Sequence, residues 1–157
     1  MRLVPCLPQH HARLRELHLE ADVRRWWQDP SEEWPDDEPD SVNYTILLDG
    51  QIIGFVQWAA EQDPMFRHAG LDLFLDPAQH GRGLGTEVVR LMCAHLIDEH
   101  AFHRLVIDPE LENEAAIATY EKVGFRPVGV LRRYSRDRFG VWKDGLLLDL
   151  LAEEFVR

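Results

Sequence analysis

The sequence predicts a mixed α/β domain built around one sheet. Three observations carry that expectation. Asp49-Gly50 stands between two apolar stretches, a strong signal for a tight β-hairpin. The middle of the chain alternates strand-like with helix-like segments. A glycine-rich turn, His80-Gly81-Arg82-Gly83-Leu84-Gly85, joins one such strand to a helix. The hairpin excludes an all-parallel sheet, and the alternation lays helices against it.

The elements follow in chain order. Pro8 to Glu20 carries Leu14, Leu17 and Leu19 at near-helical spacing, which predicts a short helix. Val23 to Gln28 predicts a second, ending in Trp26-Trp27. Asp29 to Asp40, with three prolines and six further carboxylates after Asp29, is an acidic surface loop. Tyr44–Leu48 and Gln51–Ala60 are the hairpin strands. In Gly70–Leu75, Leu71, Leu73 and Leu75 share one face, with Asp72 and Phe74 on the other. Gly83–Glu99 is a helix striped by Leu84, Val88, Leu91, Met92, His95 and Leu96. Arg104–Ile107 is a short strand. Glu112–Lys122 is a helix stopped at Gly124. Arg126–Leu131 and Leu146–Leu151 are two last strands flanking an arginine-rich segment.

Length and composition bound the rest. The 157 residues fit a single domain, 1–157, and 45% hydrophobic content supports a core. A net charge of −11 argues against nucleic acid, whose phosphates call for basic clusters, and suits a cationic partner. No apolar run nears the ~20 residues that span a bilayer, so no membrane association is expected. Met1–Pro5 does not resemble a secretory leader, and Cys6 and Cys93 lack metal-ligand spacing. The expectation is a cytoplasmic protein with reduced thiols and no metal.

The glycine-rich turn has a physical rationale. Glycine lets an anion approach the backbone, and the first N–H groups of a helix have no internal partner. With the helix dipole they form a phosphate site, to which Arg82 and Thr86 can add a charge and a hydroxyl. It is not a Walker A loop, which needs G-x-x-x-x-G-K-[ST]. It is not a dinucleotide fingerprint either, because the third glycine is misplaced and a hairpin precedes it.

The turn resembles the cofactor motif of the GNAT N-acetyltransferases, Arg/Gln-x-x-Gly-x-Gly/Ala after a strand, with His80 standing where the family has Arg or Gln. Asn113 to Phe125 resembles the family's N-x-x-A-x-x-x-Y-E-K-x-G-F segment. The resemblance, over roughly 44–150, implies a mixed sheet splayed open in the middle, with acetyl-CoA as acyl donor in the splay. It implies that Leu73, Phe74 and Leu75 pair with the pantetheine arm. It further implies that His80, Gly81, Arg82, Gly83, Leu84, Gly85 and Thr86 hold the pyrophosphate and that Asn113 touches the cofactor. Val23–Trp27, Gly70–Asp72 and Ile107–Pro109 are similar to fragments of aminoglycoside 6'-N-acetyltransferases and their siderophore-acylating relatives. Arg132 to Asp149 is more similar to protein N-terminal or polyamine acetyltransferases. Family members are often homodimers.

Moving an acetyl group to an amine requires deprotonating an ammonium, polarising a carbonyl and protonating a thiolate. Asp108, after a strand, is the first candidate for binding and deprotonating the ammonium. Asp72 is the second, since aspartate is disfavoured within strands. Tyr120 is the candidate acid, because a phenol near 10 outlasts a thiol near ~8.5 in holding its proton. The Leu75 N–H is an oxyanion donor. Trp26, Trp27 and Trp34 are expected to wall the acceptor pocket, and the acidic loop can attract a cation. His10 and His11 are expected at the surface, with His95 packing on its helix. The expected activity is acetyl transfer to a primary amine of a small cationic molecule such as an aminoglycoside. The alternatives are a protein N-terminal or lysine acetyltransferase and a non-catalytic acetyl-CoA-binding module.

Overall fold

A computed structural model describes residues 1–157. Seven strands form one sheet in the order β1-β2-β3-β4-β5-β7-β6. They are β1 (Arg2–Pro5), β2 (Val42–Leu48), β3 (Gln51–Glu61), β4 (His68–Leu75), β5 (Arg104–Ile107), β6 (Arg126–Arg136) and β7 (Trp142–Leu151). The helices are α1 (His11–His18), the single turn α2 (Ala21–Arg24), α3 (Leu84–Asp98) and α4 (Glu114–Val123). All neighbours are antiparallel except β4 and β5. The mixed α/β expectation therefore holds.

Asp49 and Gly50, both at positive φ, close the β2–β3 hairpin. That backbone is what a two-residue turn requires to match the strand twist. One sheet face packs on α3 and α4 through Leu71, Leu75, Val88, Met92, Leu105, Val123 and Leu148. The other packs on α1 through Leu14, Leu17, Phe55 and Phe74, together with Val23 and Trp34. Phe74 and its neighbours Leu71 and Leu75 thus face opposite ways, as strand alternation dictates. Each fully buried side chain of this size contributes about 1.5–3 kcal/mol.

The sheet is splayed in its middle. β4 and β5 pair only at Ala69 with Leu105 and Gly70 with Val106, after which the strands separate. Beyond that point one edge of β4, from Leu71 to Leu75, has no strand beside it.

Several expectations need correcting. Met1–Pro5 contains a strand, β1, that pairs with β2 and that no sequence pattern announced. The second helix starts two residues early and stops before the tryptophans, which lie in the turn that follows. The two last strands are the ends of one long hairpin, and the arginine-rich segment is its far half rather than a separate loop. Leu19 and Leu91 are exposed rather than part of their helices' buried stripes. Trp34 is buried against Phe55 and His18 in the α1 core, so it does not wall a pocket. His10 is half-buried, its Nδ1 within 3.0 Å of the Thr45 hydroxyl. His95 does pack on its own helix, with Nδ1 3.1 Å from Glu99, but Nε2 also reaches Tyr44 and His100. No helix is long and apolar enough to cross a membrane.

Candidate active site

The splay opens into two adjoining cavities. The larger, about 620 Å³, runs over the start of α3 between β4 and α4. Its floor is the glycine-rich turn. Gly81 and Gly83 both have φ near +76, a region that a side chain would strain, and a Cβ added at either would meet nothing within 4 Å. Backbone conformation and open space together make this turn a cradle. Gly83 is the N-cap of α3, and the first intrahelical bond runs from Glu87 to Gly83. The N–H groups of Leu84, Gly85 and Thr86 therefore have no helical acceptor. Gly85 is different: a Cβ there would lie 3.7 Å from Leu75 and Thr119, an ordinary contact.

His80, Gly81, Gly83, Leu84, Gly85 and Thr86 line this cavity, and Arg82 does not. The Arg82 guanidinium turns back to donate to the Gln79 side chain. The sequence reading missed the wall supplied by α4, where Ala115, Ala116, Ala118 and Thr119 present small side chains to the cleft. A run of small residues on one helical turn was its available signal. It also missed Arg25 and Lys122, two cations at the cleft in an otherwise acidic molecule.

The strand edge has a definite polarity. Asp76 N–H donates to Ile53 on β3, so alternation directs the Phe74 backbone to β3 and the Leu73 and Leu75 backbones into the splay. Of the three residues expected to pair with an extended ligand, Phe74 is therefore turned away. The Leu73 groups are also engaged. Its carbonyl accepts from the Trp27 indole at 3.2 Å, and its N–H donates to the Asp72 carboxylate at 3.1 Å. The Leu75 N–H faces the cleft.

Asn113 caps α4, its Oδ1 accepting from Ala116 N–H at 3.3 Å, and lines both cavities. Replacing it with alanine should cost about 1 kcal/mol of stability, read as a fall in the unfolding midpoint. An unchanged midpoint would mean the cap is idle.

The smaller cavity, about 190 Å³, is lined by Trp26, Trp27, Asp72, Asp108, Glu110, Tyr120, Tyr134 and Ser135 among others. Asp72 is open to solvent through this cavity yet hemmed in by protein. That burial, and the nearby Asp108 charge, push its carboxyl up from 3.8 to about 7. Tyr120 stands where the two cavities meet. Burial raises its phenol above the ordinary 10, and the Asp72 and Asp108 charges add to that. Burial likewise raises Glu110. Trp27 packs edge-on against Phe74 and His18, which fixes its indole in the splay. His18, buried with Nε2 2.9 Å from the Gln28 carbonyl, is held below its usual range by desolvation. Trp26 is half-buried beneath the Arg25 guanidinium. The sequence reading did not identify Tyr134 and Glu110. No group of three or more His, Cys, Asp or Glu is arranged to hold a metal ion.

The architecture is a seven-stranded mixed sheet with a two-chambered cleft at its splay. The family model described as acetyltransferase (GNAT) family matches residues 10–125, and the chain belongs to that family. The aminoglycoside N(6')-acetyltransferase type 1 of Klebsiella pneumoniae is 34% identical over 100 residues, covering 56% of this chain and 49% of that protein. The N-alpha-acetyltransferase RimI of Mycobacterium tuberculosis is 36% identical over 88 residues, covering 55% and 53%. The chain spans about half the length of these curated relatives. Among solved structures, the aminoglycoside acetyltransferase AAC(6')-Ib in complex with coenzyme A and kanamycin has the same fold. Its TM-score is 0.80 at 24% identity, covering 97% of this chain and 95% of that one.

Proposed function

We propose that this chain transfers an acetyl group from acetyl-CoA to a primary amine of a small cationic molecule, such as an aminoglycoside. One observation carries the reading. Tyr120 stands at the junction between a chamber with a glycine cradle and a chamber with two carboxylates. Donor and acceptor chemistry thus meet at one phenol.

The first chamber fits acetyl-CoA. The open positive-φ glycines and the unpartnered N–H groups of Leu84, Gly85 and Thr86 suit a pyrophosphate. Arg25 and Lys122 are the cations within reach, and the small face of α4 leaves room for an extended arm. When bound there, acetyl-CoA supplies the activated acyl group.

The chain's own residues do the rest. Asp72 and Asp108 bind the ammonium of the acceptor. Asp72, poised near neutrality, takes its proton. The Leu75 N–H donates to the acyl carbonyl oxygen as negative charge grows there. Tyr120, kept protonated, donates to the departing sulfur. Trp26 and Trp27 flank the acceptor.

The pH dependence follows from Asp72. Its proton is released around pH 7, so kcat/KM should fall as pH drops below that value, about tenfold per unit. Asp72→Asn should remove this limb along with most of the rate. Stability should move the other way. The folded state raises this carboxyl from 3.8 to about 7, so its contribution is lost as pH climbs through that window. Asp72→Asn should therefore melt higher than the parent at pH 8. A pH profile unchanged by the substitution would remove Asp72 from the mechanism.

Thiol release from acetyl-CoA across aminoglycosides, polyamines and peptides with free N-termini tests the whole reading. Turnover best with a small polyamine or aminoglycoside supports it. Turnover only with peptides supports protein N-terminal acetylation, which the RimI likeness favours.

A further inference from the structure

Strand β6 breaks register with β7 at one place. Leu131 faces Gly145 and Ser135 faces Lys143, so Arg132, Arg133 and Tyr134 stand against Asp144 alone. Such bulges bend a strand and re-aim a side chain. Three features mark this one. Arg133 adopts φ +47, a left-handed conformation unusual for a residue with a side chain. The Asp144 carboxylate accepts the Arg133 N–H at 2.7 Å and fixes that conformation. Gly145 leaves the space for the Tyr134 ring, since a Cβ there would lie 3.0 Å from it.

The outcome is a single aimed hydroxyl. Tyr134 donates to Asp108 Oδ2 at 2.5 Å. The bond and the Asp108 charge push the Tyr134 phenol up to about 12, so it remains a donor at any working pH. The other groups that face this pair are Asp72 from β4, Tyr120 from α4 and Glu110 beyond β5. Glu38 adds its charge at Asp72, and Arg25 and Lys143 add theirs at Glu110.

We propose that the bulge is a positioning device: through Tyr134 it locks the Asp108 carboxylate toward the acceptor chamber. Asp108 then anchors the positive charge of the amine and leaves proton transfer to Asp72. The inference rests on the acetyl-transfer reading. A phenol donating to Oδ2 engages one oxygen of Asp108 and leaves the other for the substrate. Tyr134 is thus a positioning residue, and Arg133, Asp144 and Gly145 are its mount.

Two measurements test the device. Tetranitromethane nitrates the phenolate, so the locked Tyr134 should react slowly at pH 8 although its side chain is exposed. Asp108→Asn and Asp144→Ala should each speed nitration at Tyr134, mapped by mass spectrometry, about tenfold or more. Tyr44 should keep its rate, which separates release of the lock from unfolding. With kanamycin as acceptor probe, Tyr134→Phe and Asp144→Ala should each raise the KM for kanamycin about tenfold. The KM for acetyl-CoA should stay within about twofold, and the double variant should be no worse than either single one. Unchanged nitration at Tyr134, equal shifts in both KM values or additive losses would overturn the proposal. If the unsubstituted protein acetylates no amine, the acetyl-transfer reading falls, and nitration still decides whether the lock exists.

Discussion

Tyr120→Phe should lower kcat by about 10²–10⁴ while leaving the KM for acetyl-CoA nearly unchanged. The argument begins with what the hydroxyl does not do. Tyr120 is almost fully buried, and its ring packs against Phe125. Its hydroxyl forms no hydrogen bond within the chain, and the residue lines both cavities. Phenylalanine preserves the packing and removes only that group, so the unfolding midpoint should move by less than about 2 °C. Burial and the two nearby carboxylates hold the phenol above 10. It therefore stays neutral where a thiolate would form, which suits a donor to a leaving sulfur. No alkaline limb in the rate profile should be traceable to it. Stopped-flow measurement of the acyl-transfer step would check this. A loss in acetyl-CoA affinity without a loss in rate would make Tyr120 a wall and not an acid.

Gly54→Ala should be the most damaging small substitution outside the cleft. Gly54 lies on β3 opposite Leu75. A Cβ there would come within 2.4 Å of the Phe74 carbonyl oxygen, 2.9 Å of Leu75 Cδ2 and 3.1 Å of Ile46 Cδ1. The first is backbone and cannot swing aside. Overpacking of this kind costs about 3 kcal/mol, or roughly 6–12 °C in the unfolding midpoint. The displaced strand is the one that carries Leu75 N–H, so coenzyme A affinity should fall as well. Calorimetric melting and a coenzyme A titration would check both. A midpoint within about 2 °C of the parent would show that β4 yields without cost.

The two substitutions mark what was legible in the sequence. Strand β4 and helix α3 carry strong periodic patterns, and the glycine turn between them, a weak signal alone, gains its meaning from the Asn113–Phe125 segment downstream. Asn113 and Gly124 bracket α4 with ordinary capping chemistry. What escaped notice lacked a local pattern. Strand β1 has four residues at a sheet edge, too few for alternation to register. Strand β6 was expected only as far as Leu131; its far half, to Arg136, is largely exposed on both faces, so nothing in those arginines announces a strand. Its bulge depends on Asp144 across the hairpin, and Tyr134 meets Asp108 26 residues away. Such pairings exist only once the hairpin has closed. Trp34 was misread for the opposite reason. An aromatic beside an acidic loop suggests a sugar or cation wall, yet Arg15 ties that loop back through the Ser31 and Trp34 carbonyls and buries the ring.

His80 takes its place in the cradle without an assigned partner, although the family motif has Arg or Gln there. It lines the cleft beside Gln79, whose side chain holds Arg82. The proposed anion site would therefore rely on backbone N–H groups and on Arg25 and Lys122, which line the same cavity.

The central claim is that the reacting sulfur lies in the splay, between the phenol and the two carboxylates. A crystal structure with coenzyme A bound tests it most directly. The account predicts pyrophosphate on the N–H groups of Leu84, Gly85 and Thr86, and the thiol within hydrogen-bonding reach of the Tyr120 hydroxyl. Asp72 and Asp108 should lie beyond the thiol on the acceptor side. A thiol outside the gap between β4 and β5, or one screened from both carboxylates, would contradict it.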